Sequence, residues 1–79
     1  MHNQLLLQLD TFGSLANLLT IERKRQGLSR AQAASVCNVS TSFIRDAETE
    51  PGRCSLAKLS LVINGLGLTM TVAGWQVES

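Results

Sequence analysis

Residues 29–49 read SRAQAASVCNVSTSFIRDAET. Ser29 followed three residues later by Gln32 is a capping-box pattern, in which each side chain satisfies the other residue's free backbone N–H. It opens a short helix whose Ala33, Ala34 and Val36 form a narrow apolar side, small enough to let another helix approach closely. Asn38 stops this helix, because asparagine tolerates left-handed backbone better than most non-glycine residues. Val39 then turns into the core, and Ser40 caps a further helix over about 41–49. Phe43, Ile44 and Ala47 line one side of that helix. Thr41, Ser42, Arg45 and Asp46 line the other.

Outward from this unit, TFGSLANLLTIERKRQG (11–27) predicts a first helix. Thr11 is its expected N-cap, Phe12, Leu15, Ala16, Leu18 and Leu19 recur at helical spacing, and Gly27 ends it. EPGR (50–53) is a loop with Pro51 and Gly52 as breakers. Ser55 caps a fourth helix with Leu56, Leu59, Ile63 and Leu66 on one face. A hairpin turning at Asn64-Gly65 is the competing pattern there, but the helical spacing fits better than strict alternation. LTMTV (68–72) does alternate and predicts a strand. A lone strand leaves its backbone groups unpaired. Its partner is either the same segment of a second chain or the N-terminal QLLLQL.

Seventy-nine residues make one small domain. A chain this size buries only about two-thirds of its unfolded surface, so a partner chain often supplies further burial. Phe12, Phe43 and Trp75 are its aromatics, so aliphatic side chains must build the core. The net charge is +1, yet all seven basic residues lie between positions 23 and 58, and such clustering can form a local basic surface. Cys37 and Cys54 show no CxxC spacing, and His2 is the single histidine. That set implies neither a metal site nor a cofactor, and two unpaired thiols fit a reducing cytoplasm. MHNQLLLQLD has no basic n-region and too short an apolar run for a signal peptide or a membrane span. No His/Ser/Asp or Cys/His set and no glycine-rich phosphate loop are present, so an enzyme is not expected.

Helix, three-residue turn, helix is a helix-turn-helix, whose second helix commonly lies in the DNA major groove. Ala34 allows the close crossing, Asn38 the turn, and Ile44 the inward anchor. The sequence GLSRAQAASVCNVSTSFIRDAE resembles the helix-turn-helix of phage-repressor-like (lambda-repressor-like, Xre-type) regulators. LANLLTIERKRQGLSR resembles their first helix, and AETEPGRCSLAKLSLVINGLGLTMTV is similar to HipB-type antitoxins. The resemblance spans about residues 12–73. It implies an all-α bundle of four to five helices with a short C-terminal β-strand for dimerisation. Arg23 and Glu48 would form a structural ion pair. Thr41, Ser42, Arg45 and Asp46 would meet bases, and Arg30, Arg53 and Ser40 would meet phosphates. It further implies a repressor that autoregulates a toxin–antitoxin operon and binds a HipA-like kinase toxin.

The expected organisation is an N-terminal segment that is a strand, an extra helix or a floppy arm (1–10), a DNA-binding domain (11–67), a dimerisation strand (68–73) and a tail (74–79). Two Leu68–Met70–Val72 strands would pair in a homodimer on a palindromic operator, with recognition helices ~34–36 Å apart. Each residue also has a plainer role. Arg45 either reads guanine, worth ~1–3 kcal/mol of discrimination, or pairs locally with Asp46. Thr41 either touches DNA or only serves its helix terminus. Lys24 and Arg25 are expected in solvent, and Cys37 as a small hydrophobe. Trp75 either anchors a partner protein or covers the strand. Two other functions fit the same residues: a stand-alone phage-type regulator without a toxin, and a protein-interaction module that has lost DNA binding.

Overall fold

Asn38 adopts φ 60° and ψ 45°, and this left-handed residue turns the chain sharply between two helices. The computed structural model describes residues 4–7, 12–72 and 75–76. Its helices are α1 (Phe12–Arg25), α2 (Arg30–Cys37), α3 (Thr41–Thr49) and α4 (Leu56–Gly65), with a 3-10 turn at Pro51–Arg53. Short strands β1 (Gln4–Leu7), β2 (Thr69–Val72) and β3 (Trp75–Gln76) flank them. Thr11 lies outside the described residues, as do the side chains of Phe12, Met70, Val72 and Trp75.

Local chemistry sets the helix ends. The Gln32 backbone N–H donates to Ser29 Oγ at 3.1 Å, and the Ser29 N–H donates to Gln32 Oε1 at 2.8 Å. The capping box expected from the sequence is thus present. Ser40 Oγ accepts from the Phe43 N–H at 3.1 Å, and Ser55 Oγ from the Lys58 N–H at 3.2 Å. Each such cap contributes about 1 kcal/mol. Gly27 takes φ 72° at the end of α1, where a side chain would be strained.

The core lies where all four helices converge. Leu15 and Leu19 of α1, Ala33, Ala34 and Cys37 of α2, Ile44 and Ala47 of α3, and Leu59, Val62 and Ile63 of α4 form one buried cluster with Leu66 and Leu68. Leu18, Val39 and Phe43 pack against it. Small residues bring α2 close to α4. A Cβ placed on Gly65 would sit 2.6 Å from Cys37 Sγ and 3.0 Å from Cys37 Cα, so only glycine fits that contact. The Cys37 thiol donates to the Val62 carbonyl at 3.7 Å, and burial pushes its pKa up. It packs as the small hydrophobe expected.

Three packing expectations need correction. Val36 is exposed, and Cys37 takes the buried place beside Ala33 and Ala34. Leu56 is also exposed, while Val62 completes the buried face of α4. The EPGR segment is a 3-10 turn with Pro51 buried, rather than an open loop. For Val36 and Leu56 helical spacing marks a stripe, while the neighbouring helix decides which edge of the stripe is covered.

Of the two partners considered for the C-terminal strand, the structure sets β1 beside β2, parallel, with Gln4 opposite Thr69 and Leu7 opposite Val72. β3 pairs antiparallel on the other edge, so the order is β1-β2-β3. One edge of β2 is thus paired along its length by β1, and the other at Thr71 and Val72 by β3. Leu68, expected in a dimer strand, is buried in its own subunit's core.

The end of α1 ties to the end of α4 through Glu22. Its carboxylate accepts from Arg25 and, at 2.8 Å, from Gln26 Nε2, which also donates to the Leu66 carbonyl at 2.8 Å. Arg25 is thus paired, not simply solvated. Hydrogen bonds from Arg25 and then Gln26 lower the Glu22 pKa from 4.5 to about 2. A carboxylate depressed on folding stabilises the fold fully above its unfolded pKa and loses that contribution as pH falls through the folded value. Thermal melts should therefore show stability falling between pH 4.5 and about 2, with Glu22→Gln flattening that fall.

Candidate nucleic-acid interface

Helix α3 is seated by Ile44 and Ala47, both essentially inaccessible to solvent. That burial leaves Thr41, Ser42, Arg45 and Asp46 exposed on the opposite side. Ser40 begins the helix as its N-cap, and its hydroxyl also lies 3.1 Å from Ser42 Oγ. Thr49 Oγ1 donates to the Arg45 carbonyl at 2.8 Å, finishing the last turn without using the side chains of Thr41, Ser42, Arg45 or Asp46.

Beneath this surface Glu48 gathers two arginines. Arg23 Nε donates to Glu48 Oε2 at 2.5 Å and Nη2 to Oε1 at 3.1 Å, a bidentate fork between α1 and α3. Arg23 Nη1 also donates to the Leu28 carbonyl at 2.9 Å, which fixes the α1–α2 connection. Arg30, the first residue of α2, donates from Nε to Glu48 Oε1 at 3.2 Å. The Glu48 side chain is only 3% exposed and Arg23 10%, against 41% for Arg30. Burial alone would raise the Glu48 pKa, but the Arg23 bond and charge, followed by those of Arg30, hold it below the ordinary carboxylate range. Two guanidinium groups on one carboxylate leave a net positive charge, and its accessible part is Arg30.

The remaining arginines of this region are paired more loosely. Arg45 Nη2 lies 3.4 Å from Asp46 Oδ1, with both side chains more than half exposed. Arg53 Nη1 lies 3.5 Å from Glu50 Oε2, also in solvent. Exposed pairs like these contribute at most about 1 kcal/mol, so a ligand can readily replace either partner. Lys58 stands 5.9 Å over the Phe43 ring. Phe43, Asp46, Glu50, Arg53, Cys54, Ser55 and Lys58 line an open cleft of about 500 Å³ between α3 and the start of α4.

The structure thus brings Thr41, Ser42, Arg45 and Asp46 together on one helix, with Arg30 and Arg53 tethered to carboxylates at its C-terminal end. The Leu68 side chain is buried in its own subunit's core, and the Trp75 side chain lies outside the described residues. Sequence reading did not anticipate the Arg30–Glu48 contact, whose partners are eighteen positions apart. It also passed over Glu22, although the i, i+3 and i, i+4 spacing to Arg25 and Gln26 was a usable signal. No group of metal-ligating side chains occurs among the described residues. No helix there is long and apolar enough to cross a membrane.

A crossed α2–α3 pair around a left-handed turn, braced by α1 and α4, defines a helix-turn-helix bundle. A chain of a solved HipA–HipB–O2–O3 complex has this fold, with a TM-score of 0.72 over 82% of the present chain and 92% of that one, at 22% identity. No protein-family model and no curated protein matches the sequence.

Proposed function

We propose that the protein is a sequence-specific DNA-binding repressor acting as a homodimer on a palindromic operator. The observation that carries this reading is the outward face of α3, on which Thr41, Ser42, Arg45 and Asp46 stand clear of the core. A helix of this kind fits the major groove, where arginine can bond guanine O6 and N7 together. Arg30, Arg53 and Ser40 are assigned to phosphates. The likeness to a chain of the HipA–HipB–O2–O3 complex supports the further step, that this chain is a HipB-like antitoxin with a HipA-like kinase toxin as partner. A kinase gene beside this one would favour that step over a stand-alone regulator. The Trp75 segment is assigned to the partner protein.

The test is fluorescence anisotropy with a duplex from the gene's own upstream region, at several salt concentrations. Arg30→Ala should weaken binding to every sequence and flatten the salt slope by about 1.8, about 0.9 for each subunit of the dimer. Arg45→Ala should cost ~1–3 kcal/mol per half-site on the specific duplex and little on a scrambled one. An Arg45→Ala loss equal on both duplexes, or an Arg30→Ala loss confined to the specific duplex, would refute these roles.

The homodimer is assigned to the small sheet. Since β1 and β3 occupy the edges of β2, a second chain joins along an outer strand or exchanges one of them. A chain ending at Leu68 keeps the buried leucine and should sediment as a monomer. A persistent dimer would move the interface to the helices.

A further inference from the structure

All five arginines of the chain are paired with carboxylates, and the three assigned to DNA each use a carboxylate of α3 or its C-cap: Arg45 with Asp46, Arg30 with Glu48, Arg53 with Glu50. Residues 41–50 hold one arginine against three carboxylates, a net charge of −2 on the segment meant to approach a polyanion. Glu48 is buried and committed to Arg23. Asp46 and Glu50 are exposed, one helical turn apart, and line the same cleft as Arg53 and Lys58. Their charge also reaches Cys54 across that cleft, where it adds to burial in raising the thiol pKa.

We propose that Asp46 and Glu50 set sequence specificity by repulsion, masking Arg45 and Arg53 until a matching base sequence supplies replacement partners. This rests on the DNA-binding reading above and names how that surface rejects the wrong DNA. On random duplex the carboxylates face phosphate oxygens with nothing to accept from, and Arg45 stays with Asp46. On a matching site Arg45 turns to guanine, and Asp46 accepts from a cytosine N4 amino group, the base-edge donor that suits a carboxylate. In the matching register Arg53 turns from Glu50 to a phosphate oxygen, and out of register Glu50 keeps phosphates away. Like-charge contacts at an interface exclude wrong partners more than they strengthen the right one.

The experiment uses the full chain, an upstream-region duplex and a scrambled duplex, with Asp46→Asn, Glu50→Gln and their combination. The combined variant should bind the scrambled duplex about tenfold tighter, while binding to the upstream duplex gains less or weakens. The ratio between duplexes then collapses. Equal tightening on both duplexes, the mark of a net-charge effect alone, or no change on the scrambled one would overturn the proposal while leaving DNA binding intact. Absence of wild-type binding to either duplex at low salt would overturn the interface itself, and this proposal with it.

Discussion

Replacing Glu48 with alanine is expected to remove about 3–5 kcal/mol of stability, enough to lower the melting temperature by roughly 12–40 °C or to unfold the domain. The carboxylate is almost fully buried and neutralises Arg23, which is itself nearly inaccessible. Without it, Arg23 keeps only the Leu28 carbonyl and an uncompensated charge stands between α1 and α3. The pairing of Arg23→Met with Glu48→Leu removes both charges and should recover much of the loss, since apolar replacement of a buried pair is often neutral. Arg30→Gln, which disturbs only the half-exposed arm, should cost far less. Thermal denaturation of the four proteins measures this order. A Glu48→Ala protein as stable as wild type would mean that the fork contributes no cohesion.

Ile44→Ala should cost about 2–5 kcal/mol, as expected when a fully buried aliphatic side chain leaves a cavity. Ile44 is one of the largest side chains with almost no exposure, and it seats α3 among residues of the other helices. The loss should reach DNA binding as well. A loosened α3 no longer holds Arg45 and its neighbours in one arrangement, so affinity should fall more on a specific duplex than on a scrambled one. Urea denaturation and the anisotropy titration together separate the two effects. Wild-type stability in Ile44→Ala would place the anchor of α3 elsewhere.

Those features of the fold legible in the sequence were local ones. The Ser29–Gln32 box, the Ser40 and Ser55 caps and the left-handed Asn38 each depend on atoms within four residues, so residue type and spacing carry them. Burial at helix edges was less legible. Val36 and Leu56 fall on apolar stripes, and only the position of the neighbouring helix leaves them in solvent. The parallel pairing of Gln4–Leu7 with Thr69–Val72 joins opposite ends of the chain, and composition offers no register for it.

The candidate site divides the same way. The outward side of α3 follows from helical spacing once Ile44 and Ala47 are taken as buried. The convergence of Arg23 and Arg30 on one carboxylate does not, because three separate helices must come together first. The pairing of Arg45 and Arg53 with Asp46 and Glu50 depends on side-chain conformations that spacing only permits.

The most direct measurement is enrichment from a pool of randomised duplexes, run in parallel with the wild-type chain and Arg45→Ala. The wild type should enrich an inverted repeat whose half-sites stand one turn, about 34–36 Å, apart and share a guanine. Arg45→Ala should lose the preference for that guanine while keeping the spacing. A wild-type pool that stays random at low salt, or a consensus unmoved by Arg45→Ala, would contradict the assignment of α3 to the major groove.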